Sequence, residues 1–320
     1  MQTLSEGSVA YVCSGAEPSG GVSPRGTLLR GQGIIEYVLI IAVIGLVIVF
    51  AGPGVAGAIR NQFNLVGNTV NSGTTGGASG GGSTGTASAA VQAAVAKDAK
   101  DWTLDEQKAV AEDIAKNGTA SPAYAKAKAA MDAGTTWSVK LTNGETMTYR
   151  IIGINHDDLA DGSGKAGLTL EATNGAMGKQ RMNATNEVAV GWENSELRSR
   201  LNSGDLWALL PAEIQSKGKA VTKLTDNKSG GAPSATTDKV FLLSMTEVYG
   251  DVQSDGSQCE YYASRGVSAS SCSGASSSFD HWTRSVISAT SGGFRYVNSL
   301  GHRNFGSANG TLYVFPAWCF

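Results

Sequence analysis

The sequence predicts an α+β chain: a long N-terminal membrane helix, a flexible linker, short alanine-rich helices, and a mixed α+β globular domain at the C-terminal end. Three observations carry this. Ile34 to Phe50 is apolar apart from Glu36, and Tyr37 to Ile59 holds no charge. Residues 71–88 contain only Asn, Ser, Thr, Gly and Ala. From Trp137 onward, alternation with period two replaces the helical character of residues 89–133.

The apolar run is long enough to cross a hydrocarbon core of about 30 Å as a helix. Arg25 and Arg30 precede it, which keeps the N-terminal side cytoplasmic and puts everything after Arg60 outside. A secretory signal peptide would have a shorter apolar core and a cleavage site after it. A plain signal anchor accounts for the length but gives no reason for Glu36. The linker, residues 71–88, has an r.m.s. span of roughly 20–25 Å. Its GxGxxG match (Gly80, Gly82, Gly85) and GxSxG match (Gly77, Ser79, Gly81) follow no strand, so both are products of low complexity.

Residues 89–134 read as two or three helices. Thr103-Leu104-Asp105-Glu106 is a capping box, Gly118 a C-cap, Ser121-Pro122 the start of the next helix and Gly134 its end. With mostly alanine as apolar residue, the stretch reads as a lightly packed stalk or brace. In residues 135–320, Trp137–Leu141 and Thr146–Ile154 alternate around an Asn143-Gly144 turn. A polar turn, Asp157 to Lys165, leads to a strand over Gly167–Ala172. Glu193–Leu210 reads as a helix with Leu197, Leu201 and Leu209 on one face; Val240–Leu243, Phe294–Val297 and Leu312–Phe315 read as strands.

Net charge of -2 and only 16% charged residues give no basic surface for nucleic acid, and 42 glycines beside many Ser and Thr suit an exported protein. Of four cysteines, Cys13 lies in a segment expected to be removed. Cys259 and Cys272 share one Ser/Gly-rich stretch and are candidates for a disulfide outside the cytosol, with free thiols as the alternative. Cys319 reads as a small buried apolar residue.

Gly31-Gln32-Gly33-Ile34-Ile35-Glu36-Tyr37 and the apolar helix behind it resemble the N-terminal region of type IVb pilins of the tight-adherence (Flp) type, over about residues 30–70. The resemblance implies cleavage by prepilin peptidase after Gly31, a new N-terminus at Gln32, and an assembly role for Glu36-Tyr37. It divides the chain into a leader (1–31), a pilin-like transmembrane and assembly helix (32–70), the linker, the helical segment and the surface domain. Partners implied are the peptidase, other pilin subunits and, before assembly, the membrane. The physics agrees: a carboxylate at the head of a span is costly unless paired, and a neighbour's new amine could pair it. Family members are usually little more than the helix, so the appended domain points to a minor subunit.

Ile154–Asp158, Gly191–Arg198 with Leu201-Asn202, Phe241–Ser244, Trp282–Ser285, Tyr296–Asn298 with Gly301, and Val314–Cys319 resemble an uncharacterised domain of bacterial surface proteins. The closing Trp/Arg/Pro-Ala pattern also resembles a C-type-lectin-like fold. Neither resemblance supplies catalytic residues. Asp157, Asp158 and Asp161-Gly162 fail the EF-hand pattern, since Leu159 and Leu168 fall at ligand positions, and a solvated acidic turn is the better reading. His156, His281, His302 and the cysteines show no zinc spacing, and Asp280-His281 lacks a nucleophile elbow. We therefore expect no cofactor, no metal and no catalytic residues. The Ser-rich stretch from Asp251 to Gly293 carries Tyr261, Tyr262, His281 and Trp282 and reads as a candidate binding loop for a surface glycan or protein.

Overall fold

The structure, a computed structural model, describes residues 87–187, 191–226, 233–250, 252–287 and 293–320. The expected leader, the pilin-like helix and nearly all of the linker lie outside the described residues. No helix among the described residues is long and apolar enough to cross a membrane.

Helix α1 (Ala89–Ala96) is capped by the Ser88 hydroxyl, and α2 (Leu104–Asn117) starts with both bonds of the Thr103/Glu106 capping box. Gly118 ends α2 at φ 55, and Gly134 ends α3 (Tyr124–Ala133) at φ 67, a left-handed position that glycine fills without a Cβ clash. These helices are not a lightly packed stalk. Val110, Ala111 and Ile114 of α2 and Ala127 of α3 are fully buried in the same core as the strands. A Cβ on Gly167 would lie 1.8 Å from the Ala111 carbonyl oxygen, so backbone meets backbone there. Small side chains give close approach, and residues 89–134 are therefore part of the domain expected to begin at 135.

The first sheet has the order β1-β2-β3-β12-β7, from β1 (Thr136–Lys140), β2 (Thr146–Ile154), β3 (Leu168–Ala172), β7 (Val240–Phe241) and β12 (Ala317–Cys319). Adjacent pairs in it are antiparallel. Trp102, Trp137, Tyr149 and Trp318 form an aromatic chain, with successive centroids 6.3, 6.1 and 5.0 Å apart, that ties the helical segment to β1, β2 and β12.

The second sheet has the order β10-β9-β8-β11-β4, from β4 (Lys179–Gln180), β8 (His281–Val286), β9 (Gly293–Val297), β10 (Arg303–Ser307) and β11 (Leu312–Tyr313). A hairpin of β5 (Val221–Thr225) and β6 (Ser234–Asp238) stands apart. The helix expected over Glu193–Leu210 is two helices, α4 (Glu196–Ser203) and α5 (Asp205–Leu209), broken at Gly204; α6 (Ala212–Lys217) follows. Leu197, Leu201, Leu206 and Leu210 are the buried leucines, and Leu209 is only partly covered. Short helices α7 (Met245–Tyr249) and α8 (Glu260–Ser264) complete the domain. The described part is thus mixed α+β, as the alternation after Trp137 predicts.

Candidate functional site

A cleft of about 540 Å³ opens between the β2–β3 turn, the β5 strand, α7 and residues 254–257. A buried ionic cluster forms its floor. Lys223 lies on the inward face of β5, and its Nζ sits 2.5 Å from both Asp157 Oδ1 and Glu247 Oε1. Glu247 comes from α7, where a second capping box with Ser244 fixes its backbone and side chain together. The Arg284 guanidinium, from β8, grips both Glu247 oxygens and also donates to Thr225 Oγ1 and to the carbonyls of Leu242, Leu224 and Asp255. Asp157 Oδ2 accepts from Thr169 Oγ1 at 2.8 Å and contacts Cys319 Sγ at 3.4 Å.

Burial alone would raise both carboxyls, but the cations win. Lys223 and His156 hold Asp157 well below the usual range, and Arg284 and Lys223 hold Glu247 down. Burial likewise opposes the Lys223 charge, and Asp157 and Glu247 reverse it. The ammonium stays protonated and is not a nucleophile.

His156 sits at the cleft wall because the chain reverses before it. Asn155 adopts φ 51, a conformation asparagine tolerates better than most. Gly153 makes room, since a Cβ there would lie 2.7 Å from His156 Cβ. His156 Nε2 lies 3.7 Å from Cys259 Sγ and Nδ1 lies 3.4 Å from Glu260 Oε1. Burial disfavours the imidazolium, but Glu260, Asp157 and Glu247 outweigh it and raise the His156 pKa.

A thiol, imidazole and carboxylate in line resemble a nucleophile with its base, yet the electrostatics run the other way. Cys259 is 1% exposed. Burial, Glu247 and Asp157 raise its thiol well above the ordinary value. Its N–H is also spent on the Glu247 carbonyl. A buried thiol kept protonated is inert.

Donor atoms of His156, Asp157 and Glu247 lie within 4.8 Å of one another, a spacing that suits a metal. The Lys223 ammonium already bridges the two carboxylates, so the cation position between them is filled. The expected solvated acidic turn is corrected in the same way: Asp158 and Asp161 are exposed, while Asp157 is buried against Lys223.

The candidate binding loop is also corrected. Tyr261, Tyr262, His281 and Trp282 are buried and offer no displayed contact surface. Tyr261 and Tyr262, on α8, flank Arg150, and the Tyr262 hydroxyl donates to Glu171. His281 stacks on Phe315 at 4.1 Å, and burial lowers its pKa to about 4. Trp282 Nε1 donates to the Gln180 carbonyl. The Cys259–Cys272 disulfide is not formed, because Cys259 is a free buried thiol facing His156. Cys319 is buried, as its apolar surroundings in sequence predict. Gly31, Gln32, Glu36 and Tyr37 lie outside the described residues.

Sequence reasoning missed Lys223, Glu247 and Arg284 as partners, since they are far apart in the chain. One local signal existed: Ser244-Met245-Thr246-Glu247 is a capping box in the sequence.

Residues 163–320 match a family model described as a domain of unknown function, DUF6273. The matched stretch holds Lys223, Glu247 and Arg284, while His156 and Asp157 precede it. No curated protein and no solved structure matches the chain.

Proposed function

We propose that this chain is a minor type IVb, tight-adherence pilin-like subunit, processed by prepilin peptidase and displaying its C-terminal α+β domain outside the cell for adhesion or binding. The observation that carries the reading is Gly31–Tyr37 followed by an uncharged run to Ile59, with the only carboxylate of the span at its head. A charge there is expensive in lipid, and pairing with a neighbouring subunit's N-terminal amine gives it a purpose. The protein passes through the cytoplasmic membrane on its way to the cell surface. The C-type-lectin-like arrangement belongs to the same proposal, supported by the Trp282, Arg284 and Pro316-Ala317 pattern. The ligand class proposed is a surface glycan or protein, and the 540 Å³ cleft is where it would bind.

Glu36→Ala tests the assembly role. Membrane insertion of the variant stays intact and its recovery in sheared filaments falls. Normal recovery in filaments contradicts the role.

A signal-anchored surface protein that never enters a filament is the second reading, and it predicts no cut after Gly31. An exported enzyme is the remote third. The aligned Cys259, His156 and Glu260 favour it, and the inert state of the thiol counts against it.

A further inference from the structure

The two edges of the first sheet are treated differently. At β7, Asn202 from α4 covers the strand: its Oδ1 accepts from Lys239 N and Val240 N, and its Nδ2 donates to the Val240 carbonyl. At β1 no such cover is present among the described residues. The β1–β2 ladder alternates, as antiparallel ladders do, between hydrogen-bonded and non-bonded pairs. Leu141 N donates to the Glu145 carbonyl, which fixes the phase: Trp137 and Val139 bond to β2, and Thr136, Ser138 and Lys140 turn their amides and carbonyls outward. The Thr148 carbonyl, opposite Ser138, accepts from Thr173 on the far side of β2, as this phase requires. None of those outward groups has a partner among the described residues. Just past the strand the cover resumes, with Thr142 N donating to the Leu209 carbonyl.

A bare edge is a template for another strand, and natural domains usually blunt it. Thr136, Ser138 and Lys140 are exposed, and a cleft of about 450 Å³ runs beside the edge, lined by Asp101, Thr103, Thr136 and Ser138. We propose that β1 pairs edge to edge, antiparallel, with β1 of a second copy of this chain, about a two-fold axis at Ser138.

Charge selects this occupant and register. The two-fold sets Lys140 opposite the uncharged Thr136 of the other copy, so no like charges face each other. Lys100 and Asp101 line that cleft with Thr136, and Lys100 is shared between Asp101 at 2.6 Å and Asp98 at 4.0 Å, so one carboxylate is in excess to receive the incoming Lys140 side chain. A parallel register would stack Lys140 on Lys140, which is unfavourable. The pairing joins two five-stranded sheets into one. It is short, so it is weak between free molecules and strengthens where copies are held close. The proposal rests on the sheet edge and does not depend on prepilin processing.

Single cysteines in the intact protein, held in detergent micelles, test it. In the paired register the two Ser138 Cα atoms lie about 5.5 Å apart, whereas the two Thr136 Cα atoms are separated by roughly 14 Å along the strands. After mild oxidation, Ser138→Cys forms a covalent dimer on a non-reducing gel, while Thr136→Cys and the unaltered chain do not. No dimer at position 138, or equal yields at both positions, overturns the proposal. Sedimentation of Ser138→Pro gives an independent reading. Its amide faces outward, so the domain stays folded, and dimer mass is lost; a dimer that survives this change also overturns it.

Discussion

Two buried ion clusters, both reaching strand β3, behave oppositely. In the first, Asp157 and Glu247 meet Lys223 and Arg284, and the cations depress both carboxyls. In the second, Glu171 accepts from the Tyr262 hydroxyl and meets a single cation, Arg150, whose guanidinium is shared with the Tyr261 and Tyr262 rings, and burial raises the Glu171 pKa. One buried strand, β3, serves both: Thr169 donates to Asp157, and Glu171 belongs to the strand itself. The difference teaches that depth alone does not set the charge state. The number of cations brought to the carboxylate decides it.

The largest effect expected is at Arg284. Arg284→Leu leaves Glu247 buried with one cation fewer and strips the carbonyls of Leu242 and Asp255 of a donor. A loss of about 3–5 kcal/mol follows, measurable by urea denaturation.

Asp157→Asn against Glu171→Gln tests the opposite signs. The folded Asp157 pKa lies below its ordinary 3.8, so its contribution is present above that value and lost as pH falls through the folded pKa. Asp157→Asn therefore costs about 3 kcal/mol at pH 7 and less in acid. The folded Glu171 pKa lies above its ordinary 4.5, so its contribution is full below that value and lost as pH rises through the folded pKa. Glu171→Gln then changes stability at pH 7 by less than about 1 kcal/mol. Denaturation midpoints from pH 3 to 8 separate the two. Equal losses at pH 7 would remove the distinction.

The smallest effect is at His156. Its raised pKa makes its contribution full below 6.5 and lost as pH rises through the elevated folded value. His156→Gln flattens the stability profile in the window that opens at 6.5. An unchanged slope there would show that Glu260 and Asp157 do not act on it.

Much of the frame was legible in sequence because it is local. The Thr103 capping box, the Asn143-Gly144 turn and the glycines at 118 and 134 each act within a few residues. The ionic cluster was not, and β5 shows why. Its inward face carries Val221, Lys223 and Thr225, while Leu224 points out at 45% exposure. A lysine turned inward to meet two carboxylates inverts the hydrophobic alternation that betrays a strand. In β8, Thr283, Arg284 and Ser285 are all buried, so a core strand reads as a polar loop. The same inversion misled the reading of Tyr261, Tyr262, His281 and Trp282. Aromatics among serines look displayed, yet here they close over Arg150 and Phe315. The helical segment was misjudged for a related reason: alanine buries little area per residue, but it permits the contact of Ala111 with Gly167.

The central claim is that a prepilin-type cut precedes display of this domain. The mass and N-terminal sequence of mature protein recovered from sheared surface material test it most directly. A chain starting at Gln32 is the predicted result. A chain that still carries residues 1–31 and is found only in membranes would contradict it, and would make the resemblance at Glu36-Tyr37 accidental.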